Sequence, residues 1–493
     1  MRSATVRSRS TESPEARQLL ASEDERETVL PQGQSSISGE RLLLPAIALG
    51  TTLAPLNSTM IAVALPEIQG AFGVSITATS WLVTIYLVAM AAGQPIGGRL
   101  GDLYGRRRVY LAGLIGFGVA SIGCAFAPGL AWLILFRTMQ ALAGALTFPN
   151  GTAMIREAVP QARRGAAFGL IGMSTGIAAG IGPPLGGLSV YAFGWSAIFW
   201  ANVPVIAVAL LLGWQSLPQR RITLSGGTRF DIPGTVFLTC ALAMVILIPT
   251  MLRSGQPLLA TGAGVLGLVT GWVFVRWELR ATAPVVEIRL FGSRQFGAAC
   301  AAVGIGNLVM YTTLLALPLY LDSVLGRGAQ YAGFVLIALS ALSALFGPLG
   351  GRWSDRAGRW YPAVIGAVGM FLGALIVAMG VGWRSVTAIV VGLAVMGVGL
   401  GVSGAAVQTA AIESVPLERA GSAAGMFSTS RYLGSVMGAS LLAAMFAHGS
   451  GAGSGGRFVA LFAGLSFASV FGLVASSRIA ERKPPALTNG GRA

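Results

Sequence analysis

Two arginines, Arg137 and Arg431, fall inside apolar stretches long enough to cross a bilayer, and no acid does. A charged side chain in hydrocarbon is costly and marks a binding or translocation site by default. Arg137 lies in Leu133-Ile-Leu-Phe-Arg137-Thr-Met-Gln140, and Arg431 in Ser428-Thr-Ser-Arg431-Tyr-Leu-Gly434. A third stretch carries Leu56-Asn57-Ser-Thr59-Met60. Asn57 and Arg137 each stand seven residues from the same end of their stretches, about 10 Å deep at ~1.5 Å per residue, so they are able to face each other. Of the eighteen acids, none sits in mid-stretch. A proton-carrying carboxylate must therefore lie at a rim or in a loop. Asp322, at the outer end of the ninth stretch, is the first choice, ahead of Glu67, after the first stretch, and of Asp102 acting with Arg137. A site with two arginines and no acid suits neutral, zwitterionic or anionic ligands. One histidine, His448, and no clustered acids leave no metal site and no hydrolytic triad, and this argues against an enzyme.

The chain that positions these residues has 493 residues, 54% hydrophobic and only 11% charged, with a mean hydropathy of +0.72. So few charges cannot cover the surface of a soluble protein of this size. The net charge of +16 is read as membrane topology rather than a nucleic-acid footprint, and no nucleic-acid partner is expected. Fourteen apolar stretches of about 20 residues recur: 43–64, 79–98, 109–128, 130–152, 165–190, 196–214, 233–252, 258–276, 296–321, 330–350, 361–381, 386–410, 422–446 and 458–477. All are expected to be helices, because open strands cannot satisfy their backbone in lipid. The fold class is thus all-α and polytopic. With both termini in the cytoplasm, 28 of the 34 basic residues fall inside and 4 outside, the remaining two being Arg137 and Arg431. Cys124, Cys240 and Cys300 lie in apolar runs and are expected to be buried free thiols.

Two segments repeat. Gly98-Arg-Leu-Gly-Asp102-Leu-Tyr-Gly105-Arg106 recurs 253 residues later as Gly351-Arg-Trp-Ser-Asp355-Arg-Ala-Gly358-Arg359. Val159-Pro160-Gln-Ala-Arg163-Arg-Gly165 recurs 256 residues later as Val415-Pro416-Leu-Glu-Arg419-Ala-Gly421. Two anchors at nearly equal spacing make helices 1–6 and 9–14 related halves, with helices 7 and 8 an inserted hairpin. The expected organisation is a disordered cytoplasmic tail (1–42) without a signal peptide, a first half (43–214), a linker with the hairpin (215–295), a second half (296–477) and a cytoplasmic tail (478–493). Parallel repeats place a substrate site between the halves and suggest that one rocks against the other.

On these motifs the chain resembles a major facilitator superfamily transporter, in particular the fourteen-helix drug:proton antiporter family. The resemblance covers 43–477. It implies that Gly98, Asp102, Gly105 and Arg106, in the loop between helices 2 and 3, form a latch between halves, with Asp102 meeting the start of helix 13. Asp355, Gly358 and Arg359 would mirror it against helix 5. Gly169, Gly182, Pro183, Gly186 and Gly187 match the antiporter motif of helix 5, with Ala178 where a glycine is usual; in the family this motif goes with export. The family commonly has Asp where this chain has Asn57, and an amide cannot carry a proton. The resemblance further implies an exporter of drugs or antibiotics in the cell membrane, a monomer without cofactor, driven by the proton gradient; an importer of a polar or anionic small molecule is the alternative. Cavity-lining residues in such folds come mainly from helices 1, 4, 9 and 12. Asn57, Thr59, Arg137, Gln140, Asn307, Tyr311, Asp322, Gln408 and Arg431 are the substrate and coupling candidates, and Trp81, Tyr86, Gln94, Asn150 and Tyr320 are further polar or aromatic positions, each as readily explained by helix packing. The GxGxxG strings at Gly262 and Gly399 lie within spans and read as packing glycines.

Overall fold

The computed structural model describes residues 37–218, 231–253, 255–281, 284–327, 329–446 and 455–480. Within them lie the helices α1 (Ile37–Phe72), α2 (Ile76–Tyr104), α3 (Arg106–Ala125), α4 (Leu130–Ala158), α5 (Arg164–Phe193), α6 (Ala197–Ser216, stepped at Ala201), α7 (Ile232–Arg253), α8 (Pro257–Glu278), α9 (Arg294–Ser323), α10 (Ala329–Ala357), α11 (Trp360–Gly382), α12 (Val386–Glu413), α13 (Ala420–Met445) and α14 (Gly455–Ser477). Of the tails expected at 1–42 and 478–493, residues 1–36 and 481–493 lie outside the described residues, as does His448.

Twelve of these helices are long and apolar enough to cross a membrane. The two outside that count are α7 and α13, the latter carrying Arg431 among Ser428, Thr429, Ser430 and Ser435. The chain is a multi-pass membrane protein.

Most of the helices are longer than the apolar stretches. The first begins at Ile37, not Leu43, and runs through Pro45, Pro55 and Pro66, so Glu67 lies inside α1 rather than after it. In a packed membrane bundle, neighbouring helices and side chains can satisfy backbone groups that a proline frees. The segment expected as a loop between helices 2 and 3 is mostly helical: α2 continues through Asp102 to Tyr104, and only Gly105 turns the chain, at φ +98°. Its counterpart Gly358, at φ +88°, does the same between α10 and α11. Both occupy backbone space that L side chains rarely adopt.

Helices α1–α6 pack among themselves, chiefly α1 on α5, α3 on α4 and α2 on α4. Helices α9–α14 do likewise through α11–α12, α10–α12 and α9–α13. The two sets meet along α5–α10 and α2–α13, with lesser contacts of α13 on α4 and α12 on α5. Helices α7 and α8 pair with each other, and α7 touches α2 and α13. Cys124 and Cys300 are buried free thiols as expected, but Cys240, on α7, is exposed, because that helix packs on few neighbours.

Candidate functional site

The polar contacts between the two sets concentrate at one end of the bundle. The Asp102 carboxylate accepts from the Gly421 amide (3.1 Å) and from the Ser422 amide and hydroxyl (both 2.8 Å). These amides belong to the first turn of α13, where N–H groups lack helical partners and the dipole favours an anion. Asp355 repeats the arrangement on α5, accepting from the Gly165 (2.7 Å) and Ala166 (2.8 Å) amides. Each aspartate is backed by an arginine one turn on: Arg106 pairs with Asp102 (2.9 Å) and Glu157 (2.6 Å), and Arg359 with Asp355 (2.9 Å) and Glu413 (3.3 Å). Arg106 also donates to the Leu417 carbonyl (2.6 Å), and Arg359 to the Gln161 carbonyl (3.4 Å).

Glycines make the approach possible. A Cβ on Gly98 would overlap the Gly421 carbonyl, and one on Gly351 would overlap that of Gly165. The two joints are not equal. Arg164 of α5 also reaches Glu413 (3.3 Å), and Arg156 donates to the Val415 and Pro416 carbonyls (2.5 and 3.2 Å). The spacing of the repeat puts alanine or isoleucine where those arginines would recur. Glu157 and Glu413 stand 256 residues apart, so the repeat itself was the signal that could have found them.

The second constellation lies deeper. Arg137 of α4 is fully buried, its guanidinium 4.1 Å from the centre of the Tyr86 ring of α2. It donates to the Gln140 side chain (2.5 Å), which in turn donates to Ser121 (2.7 Å), and its Nε and Nη2 have no partner. The Tyr86 hydroxyl donates to the Ala54 carbonyl of α1 (3.4 Å), one turn before Asn57. Asn57 is 1% exposed and makes no side-chain hydrogen bond, so none joins it to Arg137. From the second set, Arg431 lies 4.4 Å from the Phe148 ring centre of α4 and 5.7 Å from that of Tyr432, and donates to Ser428 (3.0 Å). Tyr432 packs against the buried cluster that holds Tyr86, Ala89 and Ala141, which joins the two arginines' surroundings across the boundary.

Other expected positions go elsewhere. Thr59 bonds back to the Pro55 and Leu56 carbonyls and packs against Gly182, while Gly186 meets Met60; these two antiporter-motif glycines seat α5 on α1. Gly169 of the same motif faces Gly347 of α10. Pro183 is exposed and Gly187 only brushes Val63. Gln408 donates to Thr152 (3.3 Å) across the boundary, joining the two sets rather than lining the arginine cluster. Asn307 lines a small cavity of about 60 Å³ within the second set, bounded also by Met370, Ser403 and Ser469. Asp322 is exposed near the end of α9. Asn150 and Tyr320 hold helices together through the Gly97 (2.9 Å) and Val381 (2.9 Å) carbonyls. Phe148 and Tyr432 were not expected; nothing in helical periodicity marks an aromatic as the neighbour of a particular arginine.

The Major Facilitator Superfamily model matches residues 47–439. The chain belongs to this superfamily. The uncharacterized MFS-type transporter YvkA of Bacillus subtilis (strain 168) is 35% identical over 404 residues, covering 82% of this chain and 90% of that protein. The multidrug resistance protein Stp of Mycobacterium tuberculosis (strain CDC 1551 / Oshkosh) is 32% identical over 413 residues, 82% of this chain and 76% of Stp. The tetracenomycin C resistance and export protein of Streptomyces glaucescens is 29% identical over 411 residues, 82% and 75% of the two chains. Among solved structures, the human organic anion transporter MFSD10 (TETRAN) superposes with a TM-score of 0.64 at 16% identity, covering 87% of this chain and 99% of that one. At that identity the likeness speaks for the fold alone. Family and fold are those of membrane transporters, not enzymes.

Proposed function

We propose that this chain is a secondary active exporter of drugs or antibiotics, working by alternating access and driven by proton antiport. The reading takes all fourteen helices as spans, α1–α6 and α9–α14 as the moving halves, and α7–α8 as an inserted hairpin. It places both termini and the latch end in the cytoplasm and takes the monomer as the working unit. The observation that carries it is the pair of matched joints, Asp102 on α13 and Asp355 on α5, both at one end of the bundle. Two carboxylates seated on opposing helix termini hold one end closed, and releasing both would let the halves part there. Stp and the tetracenomycin protein, whose names state resistance or export, favour the outward direction, as does the Gly-Pro-x-x-Gly-Gly string of α5.

Asn57 leaves the coupling role to carboxylates outside the membrane core. Asp322 is exposed near the end of α9, within reach of protons from outside. Everted membrane vesicles test both points. Energised vesicles are expected to accumulate a fluorescent drug and to lose it when nigericin collapses the pH gradient, and Asp322→Asn to abolish the gradient effect while drug binding stays. Accumulation that ignores the gradient contradicts antiport; wild-type coupling in Asp322→Asn removes that residue from it. Accumulation in right-side-out vesicles instead favours the importer reading.

A further inference from the structure

The arginine cluster restricts what the transporter carries. Among the described residues, every carboxylate lies at a helix end, in a connection or, for Glu67, in the last two turns of α1. The interior between them holds two cations and no counter-charge. Arg137 is fully buried with two nitrogens unpartnered, and Asn57 and Gln94, both buried, have no hydrogen-bond partner on either side-chain polar atom. The unpartnered guanidinium donors of Arg137, shielded from water, are the complement of an anion, while Asn57 and Gln94 each offer both a donor and an acceptor. Besides Gln140 and Ser428, what the arginines touch is aromatic: Tyr86 for Arg137, Phe148 and Tyr432 for Arg431. Such faces stack on flat rings and take cations at their centres, so a planar ligand bearing a negative group finds both its surfaces matched. A lipophilic cation meets two like charges with nothing to offset them.

We propose that the site between the two sets of helices takes an anionic aromatic substrate, its charge held by Arg431 and its ring by Phe148, Tyr432 and Tyr86, with Arg137 supplying the second positive charge. This rests on the exporter reading and narrows it. Arg431 is the specificity-determining residue because it belongs to α13 while the ring it touches most closely, Phe148, belongs to α4. An anion bound there engages both halves at once. That is the condition for a ligand to bias their relative position, since only differential contact with two states shifts their balance.

The test compares two dyes on the full chain in proteoliposomes under an imposed pH gradient: 5-carboxyfluorescein, an aromatic anion, and ethidium, an aromatic cation. Wild-type protein is expected to move carboxyfluorescein saturably and to leave ethidium behind. Arg431→Gln is expected to raise the apparent KM for carboxyfluorescein about tenfold or more, as loss of a charge-assisted bond would. Arg431→Lys, which keeps the charge, is expected to restore most of it and shows that the Gln variant has not merely misfolded. Saturable transport of ethidium in preference to carboxyfluorescein overturns the substrate class but leaves the exporter standing. An unchanged KM in Arg431→Gln also overturns it. If replacing chloride by gluconate abolishes a saturable, Arg431-dependent response that carboxyfluorescein does not share, the site takes an inorganic anion and the proposal fails. Transport of neither dye nor of any drug in the vesicle assay removes the exporter reading, and this proposal with it.

Discussion

Asn57 is buried without a hydrogen-bond partner, one turn beyond the carbonyl to which Tyr86 donates, and Tyr86 in turn lies against Arg137. A carboxylate at this position would bring a counter-charge into a region that has none. Asn57→Asp is therefore expected to reverse selectivity, with ethidium transported and carboxyfluorescein transport weakened several-fold or more; dye transport in proteoliposomes measures it, and unchanged preference would show that position 57 does not face the substrate. Legibility at this scale was uneven. Asp102 and Asp355 could be assigned to opposing helix starts because the family resemblance implies such a latch and the repeat supplies both copies of its motif. The missing acid at 57 was equally visible. The partners of Arg137 were not: depth along a helix says how far in a residue lies, but not which way around the axis its neighbours stand, and it is Tyr86, not Asn57, that meets the guanidinium.

At the scale of helices, the contact between α2 and α13 depends on backbone meeting backbone. The Gly98 position abuts the Gly421 carbonyl, and Gly351 abuts that of Gly165, so any side chain holds the helices apart. Gly98→Val is expected to leave the protein inserted and expressed but to cut transport at least tenfold, since overpacking of a close contact costs on the order of 1–3 kcal/mol. Gly172, on the same helix as Gly165 with nothing within 4 Å of a Cβ, is the control: Gly172→Ala is expected to transport normally. Drug accumulation normalised to protein in the membrane reads both; equal activity of the two variants would contradict the role given to the close approach. The apolar stretches located each of the fourteen helices α1–α14 among the described residues but shortened several. The charged end of α2 reads as a loop by composition, yet Asp102 and Arg106 satisfy each other and their neighbours, so the helix can continue to Tyr104. In α1 the three prolines suggest an ending that the packed bundle does not impose.

For the whole molecule, the repeat made two related sets of helices legible, and their contact through α5–α10 and α2–α13 follows the family fold. Which end of the boundary is closed could not be read from sequence, because the same residues serve the closed and open arrangements and only coordinates show which bonds are made. Here both aspartates are seated, the arginine relays behind them are complete, and Gln408 and Thr152 join across the boundary. Under alternating access this closed arrangement is one of two states. Spin labels on Ala162 and Arg356, both exposed and on opposite sides of the α5–α10 joint, measure that directly in the reconstituted protein. The expected result is a short distance matching the closed joint and a second, longer one, with the pH gradient and substrate changing their shares. Asp102→Asn with Asp355→Asn should shift the population to the longer distance, each lost charge-assisted cap being worth about 1–3 kcal/mol. A single unchanging distance under every condition, in wild type and double variant alike, would contradict alternating access through this latch.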